Sequence, residues 1–261
     1  MKLSLKIFNG LLALLLSGNV IAQTPVADTT TKSQLGGGFE LNFIHSYLWR
    51  GAYFGADNVS QPVFWLTYND FSFNVSGNFN LINKTTNYDG YSRKSNWDEL
   101  DLELDYEHEF KKYTVFGKAL CYLYAYQPLV PPTAELNMRV ERKLQCCHWS
   151  VFTDEVFDVW NHWGGLWSET GILNDRKLGH QWEMNWENAL CYGSKVFNEA
   201  YYEIPIRGVN LVSSRLELQK NVKYGYYKLY GEYNWFIDQR LEKYLHQHYS
   251  YNFQVVFGKE F

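Results

Sequence analysis

The sequence predicts an all-β fold: a closed, antiparallel, up-and-down transmembrane β-barrel of about 12 strands. Three observations predict it. Segment after segment alternates apolar and polar residues with a period of two, so that each strand has one apolar and one polar side. Pairs of polar residues flanked by aromatics separate successive segments, as in Tyr68-Asn69-Asp70-Phe71 and Phe110-Lys111-Lys112-Tyr113. Tight hairpins at a membrane boundary take that form. Aromatics make up 18% of the 261 residues, yet beyond the N-terminal segment no stretch is long and apolar enough for a transmembrane helix.

Residues 1–22 are expected to be a signal peptide. Lys2 and Lys6 form its positive region, Leu11 to Leu16 its apolar region, and Val20-Ile21-Ala22 its cleavage pattern. The apolar run is too short to span a bilayer. Residues 23–37 read as a flexible periplasmic lead running into Gly36-Gly37-Gly38, and 38–261 as the barrel. Removing Lys2 and Lys6, with no acid in that segment, takes the formal charge from −4 to about −6. An acidic chain of this kind argues against a nucleic-acid partner.

Taken in order, the strands are expected near 39–50, 62–68, 71–81, 97–109, 113–126, 133–144, 149–157, 165–173, 179–192, 209–220, 224–237 and 248–261. An even count suits a single-chain bacterial barrel. From Phe71 one face reads Phe71, Phe73, Val75, Gly77, Phe79 and the other Ser72, Asn74, Ser76, Asn78, Asn80. From Glu99 the odd face is Glu99, Asp101, Glu103, Asp105, Glu107, Glu109, and the even face is Leu100, Leu102, Leu104, Tyr106, His108. Pairing outward from the turns sets Leu66 against Phe73, Phe64 against Val75, Tyr106 against Gly117 and Leu100 against Leu123. On the inner side it sets Asp105 against Lys118, an opposite-charge pair. The segments at 149–157 and 165–173 alternate poorly. The last strand carries Tyr249, Tyr251, Phe253, Val255, Phe257, Lys259 and Phe261 outward. A terminal Phe behind alternating apolar residues resembles the signal read by the barrel-assembly machinery.

A soluble barrel such as a lipocalin shares the alternation with its faces reversed. Two features favour the membrane. Twelve strands enclose a bore too wide for one layer of aromatics to fill. Aromatics also gather at strand ends, at Tyr47, Trp49, Tyr124, Tyr126 and Trp235. Location in the bacterial outer membrane follows, with membrane lipid as the surrounding partner. Ser46-Tyr47-Leu48-Trp49-Arg50-Gly51 then resembles the S-x-x-W-R-G opening strand of a family of Gram-negative outer-membrane barrels. The acidic strand at 97–110 and the strand at 115–126 follow in a similar order. That resemblance implies fold and location; the family carries no established activity.

No catalytic, cofactor or metal site is assigned. His45 is expected outward while Ser46 faces the lumen, which does not make a Ser-His pair for an outer-membrane hydrolase. Asp158 and His162 share one loop. His246-Gln247-His248 with Glu242 resembles a metal pair only superficially. Cys146 and Cys147 are adjacent in a turn, and Cys121 and Cys191 fall on strands too far apart to bridge. The acidic face is the sharpest feature. Its carboxylates stand about 7 Å apart, where neighbours repel by roughly 0.6 kcal/mol in water and about 2.4 at an effective dielectric of 20. Two agents are expected to offset this. One is basic residues across the lumen: Arg139, Lys143, Arg215 and Lys228, with Arg50 at the outer rim and Lys118 alongside. The other is mobile cations. Three functions follow as expectations: a narrow passive channel for small polar or cationic solutes, a non-conducting structural or ligand-binding barrel, and a membrane hydrolase.

Overall fold

The structure is a computed structural model and describes residues 35–53, 58–81, 97–124, 130–144 and 148–261, the side chain of Asp98 apart. The signal peptide, most of the lead, Tyr126, Cys146 and Cys147 lie outside the described residues. The strands are β1 (Leu35–His45), β2 (Leu48–Trp49), β3 (Ala52–Tyr53), β4 (Asn58–Tyr68), β5 (Phe71–Asn80), β6 (Trp97–Glu109), β7 (Tyr113–Leu123), β8 (Thr133–Lys143), β9 (Trp149–Asp158), β10 (Leu166–Gly179), β11 (Trp182–Gly193), β12 (Gly208–Val222), β13 (Gly225–Phe236) and β14 (Tyr249–Glu260). Two short helices, α1 (Lys195–Tyr202) and α2 (Gln239–Leu245), lie in the connections before β12 and β14.

Twelve of these strands close into one antiparallel barrel in which each pairs with its neighbour in sequence, while β2 and β3 form a separate small hairpin. Closure joins β1 to β14. The Gly37 N–H donates to the Phe261 carbonyl at 3.2 Å, and the Phe261 N–H returns to Gly37 at 3.0 Å. The expected registers hold: Leu66 pairs with Phe73 and Phe64 with Val75, while Tyr106 pairs with Gly117, Leu100 with Leu123 and Asp105 with Lys118. β1 begins at Leu35, so the glycine run lies inside a strand. Gly38 has no room for a side chain, since a Cβ there would fall 2.3 Å from the Trp65 indole.

Several boundaries differ from expectation: β4 begins at Asn58 rather than 62, and two further differences reshape turns. The β10–β11 turn is His180-Gln181, not residues 174–178. Both residues adopt positive φ, at 49° and 65°, the conformation of a two-residue hairpin turn. The first strand stops at His45 rather than running to residue 50. Ser46 takes φ 63°, Arg50 φ 49° and Gly51 φ 87°, and the chain folds back as the β2–β3 hairpin. Glycine would mark one such reversal in a sequence; Ser46 and Arg50 conceal theirs.

The long connections share one end of the barrel, the loop side, and the short turns share the other, the turn side. Outward positions are apolar and exposed, as at Phe64, Leu66, Phe73, Leu104, Leu136 and Phe253. The densest packing is internal and on the loop side. There Trp167, Phe152, Leu211 and Phe236 of the wall meet Ala52 of the hairpin, Phe197 and Tyr202 of α1, and Leu241 of α2, all buried. α1 starts where the Ser194 hydroxyl accepts the Phe197 N–H, and α2 where the Asp238 carboxylate accepts the Arg240 N–H. Each ends on a left-handed residue, Glu203 and His246.

Candidate functional site

Glu99, Asp101, Glu103 and Asp105 of β6 take their hydrogen bonds from the strands beside them. On β5, Asn74 donates to Glu103 at 3.0 Å and to Asp105, Ser76 to Asp101 at 3.2 Å, and Asn78 to Glu99 at 3.3 Å. On β7, the Lys118 ammonium lies 2.9 Å from Glu103 and 3.8 Å from Asp105. Tyr47 of the inward segment donates to Glu99 at 3.5 Å. Glu107 has no side-chain ion pair or hydrogen bond among the described residues and lies at an open cavity.

The expectation that cations across the lumen neutralise this face needs correcting. Arg139 binds Glu141 and Glu187, both at 2.7 Å. Arg215 binds Glu169 and Glu187 at 2.7 Å, and Lys228 binds Glu40 at 3.0 Å. Lys143 meets Glu109 at the turn-side mouth. The physical reason is reach. Same-face partners on adjacent or nearby strands stand closer than the opposite wall of so wide a bore. Arg139, Arg215 and Lys228 therefore brace the wall that runs from β8 round to β1, Lys143 reaches β6 only at Glu109, and the β6 carboxylates from Glu99 to Asp105 keep Lys118 and neutral groups.

Arg50 is not at the rim. It is carried into the lumen by the hairpin and makes two parallel hydrogen bonds of 2.7 Å to Glu135 on β8, the fork geometry that favours Arg over Lys. Its guanidinium lies 4.1 Å from the Trp49 ring centre and 5.2 Å from that of Phe197. The hairpin backbone is held as well. Tyr202 donates to the Arg50 carbonyl at 2.5 Å, and Ser250 and Gln247 donate to the Gly51 carbonyl at 2.6 and 3.0 Å. Tyr47, Trp49 and Tyr124, expected among aromatics at a membrane boundary, instead line the lumen beside Tyr122 and Tyr201. Trp235 does face outward.

On the turn side the lumen opens into a cavity of ≈ 540 Å³. That is room for a small solute. Asp70, Asp105, Glu107, Glu141 and Asp154 line it, with Lys118 and Arg139 as the cations and Phe116 as an aromatic surface. The lumen thus has two halves: an apolar plug toward the loops and an acid-rich vestibule toward the turns.

The remaining candidates fall elsewhere. His45 pairs with Asn58 at 3.3 Å, away from the lumen. Asp158 accepts the His162 backbone N–H at 2.9 Å, while the His162 ring meets Asn161 and the edge of Tyr201, so the two side chains form no dyad. His248 pairs with Glu242 at 2.9 Å. Cys121 and Cys191 are both free thiols. Sequence reasoning missed Glu135, Tyr202 and Trp167 as lumen residues. The one available signal was the poor alternation of β9 and β10, where apolar side chains turn inward toward the plug.

No family model and no curated protein matches the chain. Solved structures resemble its fold. An outer-membrane channel of Pseudomonas putida F1 aligns with a TM-score of 0.49 and 7% identity, over 89% of this chain and 96% of that one. OmpF of Salmonella typhi, solved with daunomycin, gives 0.38 and 8% over 88% and 98%. The channel DcaP of Acinetobacter baumannii gives 0.35 and 9% over 88% and 97%. At these identities the likeness is one of fold.

Proposed function

We propose that the chain is an integral barrel of the bacterial outer membrane whose lumen is plugged in its resting state, with an acidic vestibule that takes small cationic solutes from the periplasmic side. Membrane insertion is supported by the apolar outer face, which would be exposed to water in a soluble barrel. The plugged reading rests on one observation, the Arg50–Glu135 clamp that seats the β2–β3 hairpin inside the bore. A second reading, a narrow cation conduit once the hairpin is displaced, is favoured by the line of β6 carboxylates with Lys118 as their cation. A wall of fixed negative charge concentrates cations and repels anions.

Planar-bilayer recording tests both readings. The wild type should be electrically silent or nearly so. Trp49→Ala with Arg50→Ala should admit a small cation-selective conductance, reduced in selectivity by Asp101→Asn, Glu103→Gln and Asp105→Asn together. A steady wild-type conductance of porin size would remove the plugged reading. Silence from the folded double variant would remove the conduit reading and leave a binding barrel.

A further inference from the structure

The turn-side rim of the barrel sorts its charges by sign across the sheet. Counting by twos from the inward Arg139, Glu169, Arg215 and Ser250 puts Arg142, Arg176, Lys220 and Lys259 at outward positions. Each falls within the last four residues of its strand, at the turn-side end of β8, β10, β12 or β14. The exposed Lys111, Lys112 and Lys223 lie in turns at the same end. The acids of this end point the other way. Glu109, Glu141, Asp175, Glu183 and Glu260 fall at inward positions by the same alternation, and Asp70 in its turn is taken by His108 at 2.7 Å. Among the described residues, the acid at an outward strand position is Glu155, in the loop-side half of β9. We propose that the basic rim binds the phosphate headgroups of anionic phospholipid in the turn-side leaflet, an inference that rests on the membrane reading above.

Neighbours fix the depth. Arg142 stands opposite Tyr113, Lys220 opposite both Trp182 and Tyr227, and Lys259 opposite Phe39. The Arg142 guanidinium lies 5.8 Å from the Tyr113 ring centre, and the Lys220 ammonium 5.3 Å from that of Trp182. Outward Trp and Tyr at strand ends mark the level at which hydrocarbon gives way to headgroups. The Lys220 ammonium also donates to the His180 carbonyl in the β10–β11 turn. Its head thus reaches toward the rim while its stem lies along the apolar belt.

Charge selects the lipid. A zwitterionic headgroup brings an ammonium along with its phosphate, and among the described residues the rim has no acid at an outward strand position to meet that ammonium. A net-negative headgroup presents only the sign that complements the rim. The loop side offers no such match. There Lys195, Arg240 and Lys243 sit on α1 and α2 among Glu199, Asp238 and Glu242, so neither sign prevails. The vestibule inside the turn-side end is rich in acids. The basic rim is therefore a separation of the two signs onto opposite faces of one sheet, with the positive face toward the membrane.

The experiment uses the full chain folded into phosphatidylcholine vesicles that carry a trace of spin-labelled phosphatidylglycerol or spin-labelled phosphatidylcholine. The fraction of each label immobilised at the protein surface gives the lipid preference. The wild type should prefer phosphatidylglycerol about fivefold, and the preference should fall as salt is raised. Arg142→Gln, Arg176→Gln, Lys220→Gln and Lys259→Gln together should bring it close to one, and the pair Lys220→Gln with Lys259→Gln should lower it in part. Lys195→Gln with Lys243→Gln, on the loop-side helices, should leave it unchanged. Insertion with equal association of the two lipids, a preference that salt does not weaken, or a preference that survives in the folded fourfold or paired rim variant would each overturn the proposal and leave the membrane reading standing. Loss of the preference in the loop-side variant would also overturn it. Failure of the wild type to insert into these vesicles would overturn both.

Discussion

Across β4 to β7 the inward side chains include Gln61, Asn74, Asp101 and Lys118, and the outward ones include Phe64, Phe73 and Leu102. Across β9 and β10 the inward side chains include Phe152, Val156, Trp167 and Leu173, and the outward ones include Thr153, Glu155, Ser168 and Thr170. Both walls belong to one sheet and share the same pairing rules. What differs is what each wall touches. The first faces carboxylates and amides, and the second faces the plug, whose Phe197 and Tyr202 lie against Trp167. Polarity along a barrel strand therefore follows its local neighbour, not a fixed assignment of inside and outside.

The largest effect expected from this contrast is at the plugged wall. Trp167 is 1% exposed, and Trp167→Ala should cost about 3–5 kcal/mol, the range for deleting a large buried aromatic. Urea unfolding from lipid vesicles would measure it. A cost below about 1 kcal/mol would mean that the plug does not pack tightly against the wall. On the regular wall, Leu102→Arg should cost roughly 2–4 kcal/mol by placing a charge in lipid, while Asp101→Asn next to it should be nearly neutral. The reverse ranking would invert the faces.

The smallest effect lies outside the barrel, at the cap of α2. Asp238→Ala should destabilise by about 1 kcal/mol. The Arg240 guanidinium, with backbone N–H groups at the helix start, holds the Asp238 carboxyl below the usual carboxylate range. A depressed folded value means that the cap contributes fully above the ordinary carboxylate pKa and loses strength as pH falls through the folded one. Wild-type stability should therefore decline on acidification more than that of Asp238→Ala, as thermal melts across that range would read.

Alternation made the β4–β7 wall legible down to individual pairs, because each position there has one simple environment. Asp105 opposite Lys118 could be placed from turn geometry alone. The candidate site was legible only in part. Its carboxylates follow from the period-two pattern, but their partners do not, since Arg139 and Arg215 choose among acids on several strands by distance. The hairpin was hidden for a different reason. Tyr47, Leu48 and Trp49 continue a strand-like run, and the reversal depends on left-handed Ser46 and Arg50. The β9–β10 wall appeared only as irregularity, because mixed polarity on both faces cancels the signal that alternation supplies.

The β1–β14 seam bears on the timing of assembly. Every other pairing in the barrel joins strands adjacent in sequence, or spans only the inward hairpin, so each closes a far shorter loop. The seam joins Gly37 to Phe261, and its closure entropy grows with the logarithm of nearly the whole described chain. Zipping from hairpin to hairpin is therefore the economical route, with the seam formed last. Until then β1 and β14 are open edges whose unpaired N–H and C=O groups would accept any passing strand. The slowest and most vulnerable moment in making this barrel falls at the pairing that ends it.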